Sequence, residues 1–322
     1  MFGRKWFMVV MVLAMIVMVA GCSGKNQGNT GTEAKETPVS TSVGSASDGL
    51  FPKTIKHMKG ETVIKAKPIK IATPYIAFVD YLAVLDTYPV AAQGVETIGR
   101  GFPSLSKLIA GKEIFDLGQE VDMEKLLVSE PDVIIAANDM EDKYDQLSEM
   151  APTVIFPQAG DWRETLQQIA EVIGKEDKAK SVLAEFDRKS AEYKTKLAFR
   201  SEESVLFTMY SGKEQFLTWE VERFDPFYKG LGLKTVKGAE KGGQLTLESL
   251  SALNPDHIFV INNWQDPIQG GVKEALKDSK VWNSMQAVKN NRVYYLEDPS
   301  IVGPLALAKI EGIEHIIKAM GK

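Results

Sequence analysis

The sequence predicts an α/β protein of two similar Rossmann-like lobes, each built on a mainly parallel sheet, joined by one long α-helix. Three observations carry this. Residues 175–200, KEDKAKSVLAEFDRKSAEYKTKLAFR, contain no Gly or Pro, and Ala179, Val182, Leu183, Phe186, Ser190, Tyr193 and Leu197 form one small-to-apolar stripe at helical spacing. The segments 123–139 (MEKLLVSEPDVIIAAND) and 247–263 (LESLSALNPDHIFVINN) match at a constant offset, pairing Glu124 with Glu248, Leu126 with Leu250, Pro131 with Pro255, Asp132 with Asp256, Ile134 with Ile258 and Asn138 with Asn262. A fixed frame of this kind marks an internal structural repeat of helix, Pro-Asp turn, buried strand and polar loop. Short aliphatic strands alternating with helical stretches complete the pattern of parallel sheets.

The elements follow in order. Arg4 and Lys5 precede an apolar run over 7–19, too short for an ordinary membrane span, which ends in Val19-Ala20-Gly21-Cys22. Cys22 is the only cysteine, and its place after a small-residue triplet resembles the bacterial lipobox, in which the thiol is diacylated. Residues 1–21 are therefore expected to be a lipoprotein signal peptide, with palmitate-type anchoring at Cys22 on the extracytoplasmic face of the cell membrane. Residues 22–50 are polar and Gly/Ser-rich, as a flexible tether would be. The first lobe is expected over 51–174: a hairpin around Lys59-Gly60, strands at 69–73, 90–92, 114–116, 133–137 and 154–156, and a helix at 75–85. The helix at 175–200, with Glu176 and Asp177 in its first turn, is about 37 Å long at 1.5 Å per residue. The second lobe, 201–322, is expected to carry strands at 205–210, 258–261 and 293–296 and a closing helix at 301–320.

Composition narrows the function. With 322 residues, 44% hydrophobic and 25% charged, the chain suits a globular protein of two lobes. A net charge of −5 without a basic cluster argues against nucleic acid. His57, His257 and His315 are the only histidines and fall in unrelated segments, so no metal-coordination set is expected. There is no G-x-S-x-G, no H-E-x-x-H and no Ser or Cys motif with a histidine, which disfavours an enzyme, although 43 acidic residues leave carboxylate pairs open.

The phrases TIKHMKGETVI, VDYLAVLDTYPVAA, DLGQEVDMEKLLVSEPDVIIA, LSEMAPTVIF, WRETLQQIAEVIGKEDKA, LESLSALNPDHIFVI and VWNSMQAVKNNRVYYLE, with the lipobox, resemble the iron-siderophore substrate-binding lipoproteins of ABC importers. The likeness runs from about Phe51 to the C-terminus. It implies a monomer that takes a ferric siderophore in the interlobe cleft, needs no cofactor of its own, and delivers the chelate to a permease dimer. It also implies that Glu124 and Glu248, equivalent under the repeat, dock onto permease arginines. Haem or cobalamin is the alternative ligand, with Tyr210 as a candidate axial group, and a ligand sensor without transport is the alternative role.

Ligands of open α/β sheets sit beyond the carboxyl ends of strands. The candidate cleft loops are therefore Thr73-Pro74-Tyr75, Arg100-Gly101-Phe102, Asn138-Asp139, 210–223, Asn262-Asn263-Trp264 and 299–302. Within them Arg223 and Arg100, on opposite lobes, suit an anionic chelate, with Lys213 as a further cation. Trp219, Tyr210 and Trp264 suit its flat or aliphatic frame, and Tyr75 and Asn138 complete the candidate set.

Overall fold

The computed structural model describes residues 51–322; the expected leader and tether, with Cys22, lie outside the described residues. The chain opens with an antiparallel hairpin, β1 (Lys53–His57) and β2 (Gly60–Ile64). The first sheet contains β3 (Ile71–Thr73), β4 (Ala91–Ala92), β5 (Phe115–Asp116), β6 (Val133–Ala137) and β7 (Thr153–Phe156), in the order β5-β4-β3-β6-β7 and parallel throughout. Around it lie α1 (Ile76–Val84), α2 (Val95–Gly101), α3 (Pro103–Ile109), α4 (Met123–Val128), α5 (Tyr144–Met150) and α6 (Trp162–Ile173). The long helix α7 (Glu176–Leu197) follows, tightening into a 3-10 turn at Ala198–Arg200.

The second sheet contains β8 (Val205–Gly212), β9 (Gln215–Glu220), β10 (Lys241–Thr246), β11 (His257–Asn262) and β12 (Val293–Leu296), in the order β10-β9-β8-β11-β12. Its helices are α8 (Asp225–Leu231), α9 (Leu247–Leu253), α10 (Gly271–Leu276), α11 (Lys280–Ser284), α12 (Gln286–Lys289) and α13 (Ala306–Met320). Strands β8, β11 and β12 are parallel, while β9 pairs antiparallel with both β8 and β10. Residues 215–220, expected within a cleft loop, thus form a strand. The closing helix also starts later than expected, at Ala306, because Pro299–Val302 form a 3-10 turn and Pro304 offers no N–H to a helix running through it.

The repeat has a physical basis. Leu126 and Leu250 are fully buried, as are Ile134 and Ile258 on the central strands β6 and β11. Both aspartates hold the start of the neighbouring strand: Asp132 Oδ2 accepts from the Ile69 and Lys70 amides at 2.9 Å, and Asp256 Oδ2 accepts from the amide and hydroxyl of Ser204 at 2.8 Å. Every residue of β6 is buried, as a parallel strand covered on both faces requires.

Helix α7 buries Ala179, Leu183, Phe186, Ser190 and Leu197 and half-buries Val182 and Tyr193, which is the stripe read from the sequence. It packs on α6, α8 and α13. Lys189 Nζ and Tyr193 Oη both donate to the Glu314 carboxylate of α13, at 2.8 and 2.7 Å. One buried cluster runs through Ile135 and Phe156, Leu183 of α7, and Phe207, Phe227 and Ile313, so the lobes share a core. Gly312 permits the closest approach there, since a Cβ would stand 2.4 Å from Phe227 Cζ.

Two aspartates tie the lobes by capping each other's helices. The N-cap residues of α3 and α13, Phe102 and Leu305, provide no side-chain cap. Asp298, from the second lobe, accepts from Ser104 N in the first turn of α3 at 2.8 Å. Asp80, on α1 of the first lobe, accepts from Leu307 N at the start of α13 at 2.9 Å. Both satisfy orphan amides that a helix start leaves open.

Candidate interlobe ligand cleft

A cavity of about 390 Å³ lies between the carboxyl ends of the two sheets. Its walls are mainly apolar, with four aromatic rings among them: Tyr75 and Phe102 from the first lobe, Trp219 and Trp264 from the second. Phe102 and Trp264 meet across the cleft with centroids 5.9 Å apart. Arg223 is the one charged side chain among its described lining residues. Such a concave, mostly apolar site with few polar groups is the usual form of a small-molecule pocket.

Arg223 is placed by three contacts. Its guanidinium lies 5.6 Å from the Trp219 ring centroid, one terminal N–H donates to Val302 O at 3.1 Å, and its own carbonyl accepts from Lys309 Nζ at 2.9 Å. Burial lowers the Arg223 pKa, against the opposing charge of Glu220 and the nearby Tyr75 hydroxyl. Burial likewise raises the Tyr75 phenol, reinforced by Asp139 and opposed by Arg223. Lys309 is itself 1% exposed, and its ammonium lies 5.1 and 5.4 Å from the ring centroids of Phe227 and Phe224. Burial, with the Arg223 charge adding to it, brings its pKa down to about 7.

A second hollow of about 730 Å³ adjoins the first through Trp264, Gln265 and Pro299 and contains Arg100. Arg100 is 75% exposed and paired with Glu96 at 3.4 Å. A third hollow, about 580 Å³, lies behind Arg223 and is lined by Trp162, Ser190 and Lys309.

Of the residues singled out in the sequence, Tyr75, Trp219, Arg223 and Trp264 converge on the central cavity and Arg100 stands in the adjoining hollow. Tyr210, Lys213 and Asn138 do not join them. Tyr210 is 4% exposed and packs on Phe216 in the outer core of the second lobe. The reason is strand parity: Met209 and Leu217 face the cleft, so their neighbours Tyr210 and Phe216 point to the other side of the sheet. Lys213 is exposed at the β8–β9 turn with a positive φ of 51°, and Asn138 Oδ1 accepts from Gln158 N at 2.8 Å. Met209, Leu217, Gln265 and the supporting Lys309 were not anticipated; the same parity, applied to 205–219, identifies the first two. Among the described residues no group of three or more His, Cys, Asp or Glu side chains is arranged to hold a metal ion.

Glu124 and Glu248 are exposed in the first turns of α4 and α9. The caps of these helices come from other residues: Asp122 accepts from the Glu124 and Lys125 amides, and Thr246 from Ser249 N.

Comparison with known proteins agrees with this architecture. The chain is 30% identical over 320 residues to the iron-uptake system-binding protein of Bacillus subtilis (strain 168), covering 95% of this chain and 96% of that one. It is 28% identical over 311 residues to the iron(3+)-hydroxamate-binding protein YxeB of the same organism, covering 90% and 88%. The crystal structure of the triscatecholate siderophore-binding protein FeuA from Bacillus subtilis with ferri-bacillibactin superposes with a TM-score of 0.68 at 26% identity, over 83% of this chain and 98% of that one. The periplasmic binding protein profile matches residues 111–299. Two lobes sharing one core, a ring-lined cleft at their strand ends and this match together show that the chain belongs to the periplasmic binding protein family.

Proposed function

We propose that the protein captures a ferric siderophore in the interlobe cleft and delivers it to an ABC importer. The observation that carries this is the convergence of Tyr75, Phe102, Trp219, Trp264 and Arg223 from both lobes on one cavity. A chelate is a ring-and-chain frame carrying polar oxygens, and these walls match it: flat apolar surface with a single oriented guanidinium. The relatives named for iron uptake and iron(3+)-hydroxamate binding support the same ligand type. Iron enters already chelated, and the role is capture rather than catalysis.

Delivery rests on Glu124 and Glu248. The caps supplied by Asp122 and Thr246 leave both carboxylates without a capping task, and the repeat makes the two positions equivalent. They are the acidic contacts for a two-fold permease dimer, reached by a monomer tethered through lipidated Cys22. Palmitate labelling lost in Cys22→Ser is the check on the anchor.

The experiment for the main reading is growth on a ferric siderophore as sole iron source with and without the gene, alongside calorimetry of the protein with ferric chelates and with free Fe³⁺. Chelate binding with gene-dependent growth is expected. Tight one-to-one binding of bare iron, or unchanged growth without the gene, would overturn it.

A further inference from the structure

The charge of the bound chelate can be argued from the cleft, resting on the siderophore reading above. Three hydroxamates neutralise Fe³⁺, whereas three catecholates leave three negative charges on the complex. Among the described residues no carboxylate lines the central cavity, and Arg223 is the one charged lining residue. That guanidinium is already partly committed, to the Trp219 face and to Val302 O, with Glu220 close enough to offset it.

The other cations do not add to it. Arg100 stands 75% exposed at the edge of the adjoining hollow, where water screens its charge, and Lys213 stands exposed at the β8–β9 turn, outside the lining of the cavity. Lys309 is enclosed behind the Arg223 carbonyl, against two phenylalanine rings. A triply charged anion entering this half-dry cleft loses hydration for each charge and meets one partly used counter-charge. A neutral complex loses little and gains the ring surface of Tyr75, Phe102, Trp219 and Trp264 for its aliphatic arms. Catechol rings could stack on the same walls, but stacking does not compensate three desolvated charges.

We propose that the cleft selects ferric chelates of zero or near-zero net charge, ferric trihydroxamates foremost, over ferric triscatecholates. Arg223 then serves as an oriented donor to a hydroxamate oxygen and not as one member of a cationic cage.

The test is tryptophan fluorescence of the full chain in detergent, with Trp219 and Trp264 in the cleft as reporters. The probes are ferrichrome and N-acetylated ferrioxamine B, both neutral trihydroxamates of different shape, against ferric enterobactin and ferric citrate. Titrations are made at about 50 and 500 mM NaCl, which spans strong to weak screening. At least one trihydroxamate is expected to bind roughly tenfold or more tightly than either anionic chelate, with its Kd moving less than about threefold with salt. Equal or tighter binding of an anionic chelate, or a trihydroxamate Kd that climbs more than about tenfold with salt, would overturn the charge assignment and leave the siderophore reading standing. Failure of all four chelates to bind would remove the siderophore reading itself, and this inference with it.

Discussion

Asp80 offers a quantitative check on the lobe interface. Its carboxyl is fully buried; Oδ1 accepts from Leu307 N, and Oδ2 has no hydrogen-bond partner among the described residues. Burial pushes the pKa up, the amides of Leu307 and Ala306 pull it down, and burial wins, moving it from 3.8 to about 7. A folded-state pKa above the unfolded one favours the protonated native form. The corresponding stability is fully present below about pH 3.8 and declines until it is lost near pH 7. At about 1.4 kcal/mol per pKa unit, the whole window amounts to about 4 kcal/mol, of which about 2–3 kcal/mol falls between pH 5 and pH 8. Asp80→Asn keeps the shape and an acceptor for Leu307 but cannot titrate. Urea unfolding of both proteins at the two pH values isolates the effect, because groups common to both cancel. The wild type is expected to gain about 2–3 kcal/mol on Asp80→Asn as the pH falls from 8 to 5. Parallel stability profiles for the two proteins would refute the reasoning, since they would mean Asp80 titrates alike in the folded and unfolded chain.

Arg223→Ala removes the one charged donor among the described residues lining the central cavity and is expected to weaken chelate binding by about 1.5–3 kcal/mol in calorimetry, with the melting curve showing the variant folded. Glu124→Lys with Glu248→Lys is expected to leave ligand Kd unchanged while abolishing iron uptake in cells, and normal uptake at wild-type expression would refute docking. A third substitution addresses the base of the second lobe. Burial opposes the Glu203 carboxylate, yet the hydrogen bond from His257 at 2.7 Å and the guanidiniums of Arg200 and Arg292 overcome it and hold its pKa at about 2. That stability is present above pH 4.5 and is lost as pH falls toward 2. Glu203→Gln is therefore expected to cost about 1–3 kcal/mol at pH 7, after allowance for partial solvent screening, and progressively less in acid-unfolding measurements.

What could be read in the sequence was whatever repeats locally. The stripe of α7 and the paired 123–139 and 247–263 segments emerged because side-chain periodicity and a constant frame need no knowledge of distant partners. The cleft residues Tyr75 and Trp264 were legible as positions just beyond β3 and β11, since topology alone fixes where ligands meet such sheets, whereas Trp219 and Arg223 reach the cleft from antiparallel β9 and the turn after it, a stretch expected as loop. Tyr210 was misplaced because a strand end was treated as a loop, although alternation from Phe207 through Met209 already assigns it to the opposite face. Asp80 and Lys309 could not be anticipated. Each sits within a helical stretch where a charge suggests solvent, and what encloses it comes from far along the chain: Leu307 lies 227 residues from Asp80, and the Arg223 carbonyl 86 from Lys309.

The exchanged caps bear on how such proteins can be recombined. A chimera taking residues 51–174 from this chain and the remainder from a relative would carry Asp80 away from the Leu307 amide and strand the α3 start without Asp298. The buried carboxylate would then face a foreign helix, and an exchange cut at the α7 boundary would sever two bonds that sequence proximity does not reveal. Keeping both caps means moving the first lobe together with residues 298–320, and that exchange in turn replaces the partners of Glu314 on α7 and of Val302 and Lys309 at Arg223. Ligand-specificity grafts should therefore respect this seam: exchange β8, β9 and the Trp264 loop within the second lobe, and leave the stitched pair of helix starts in place.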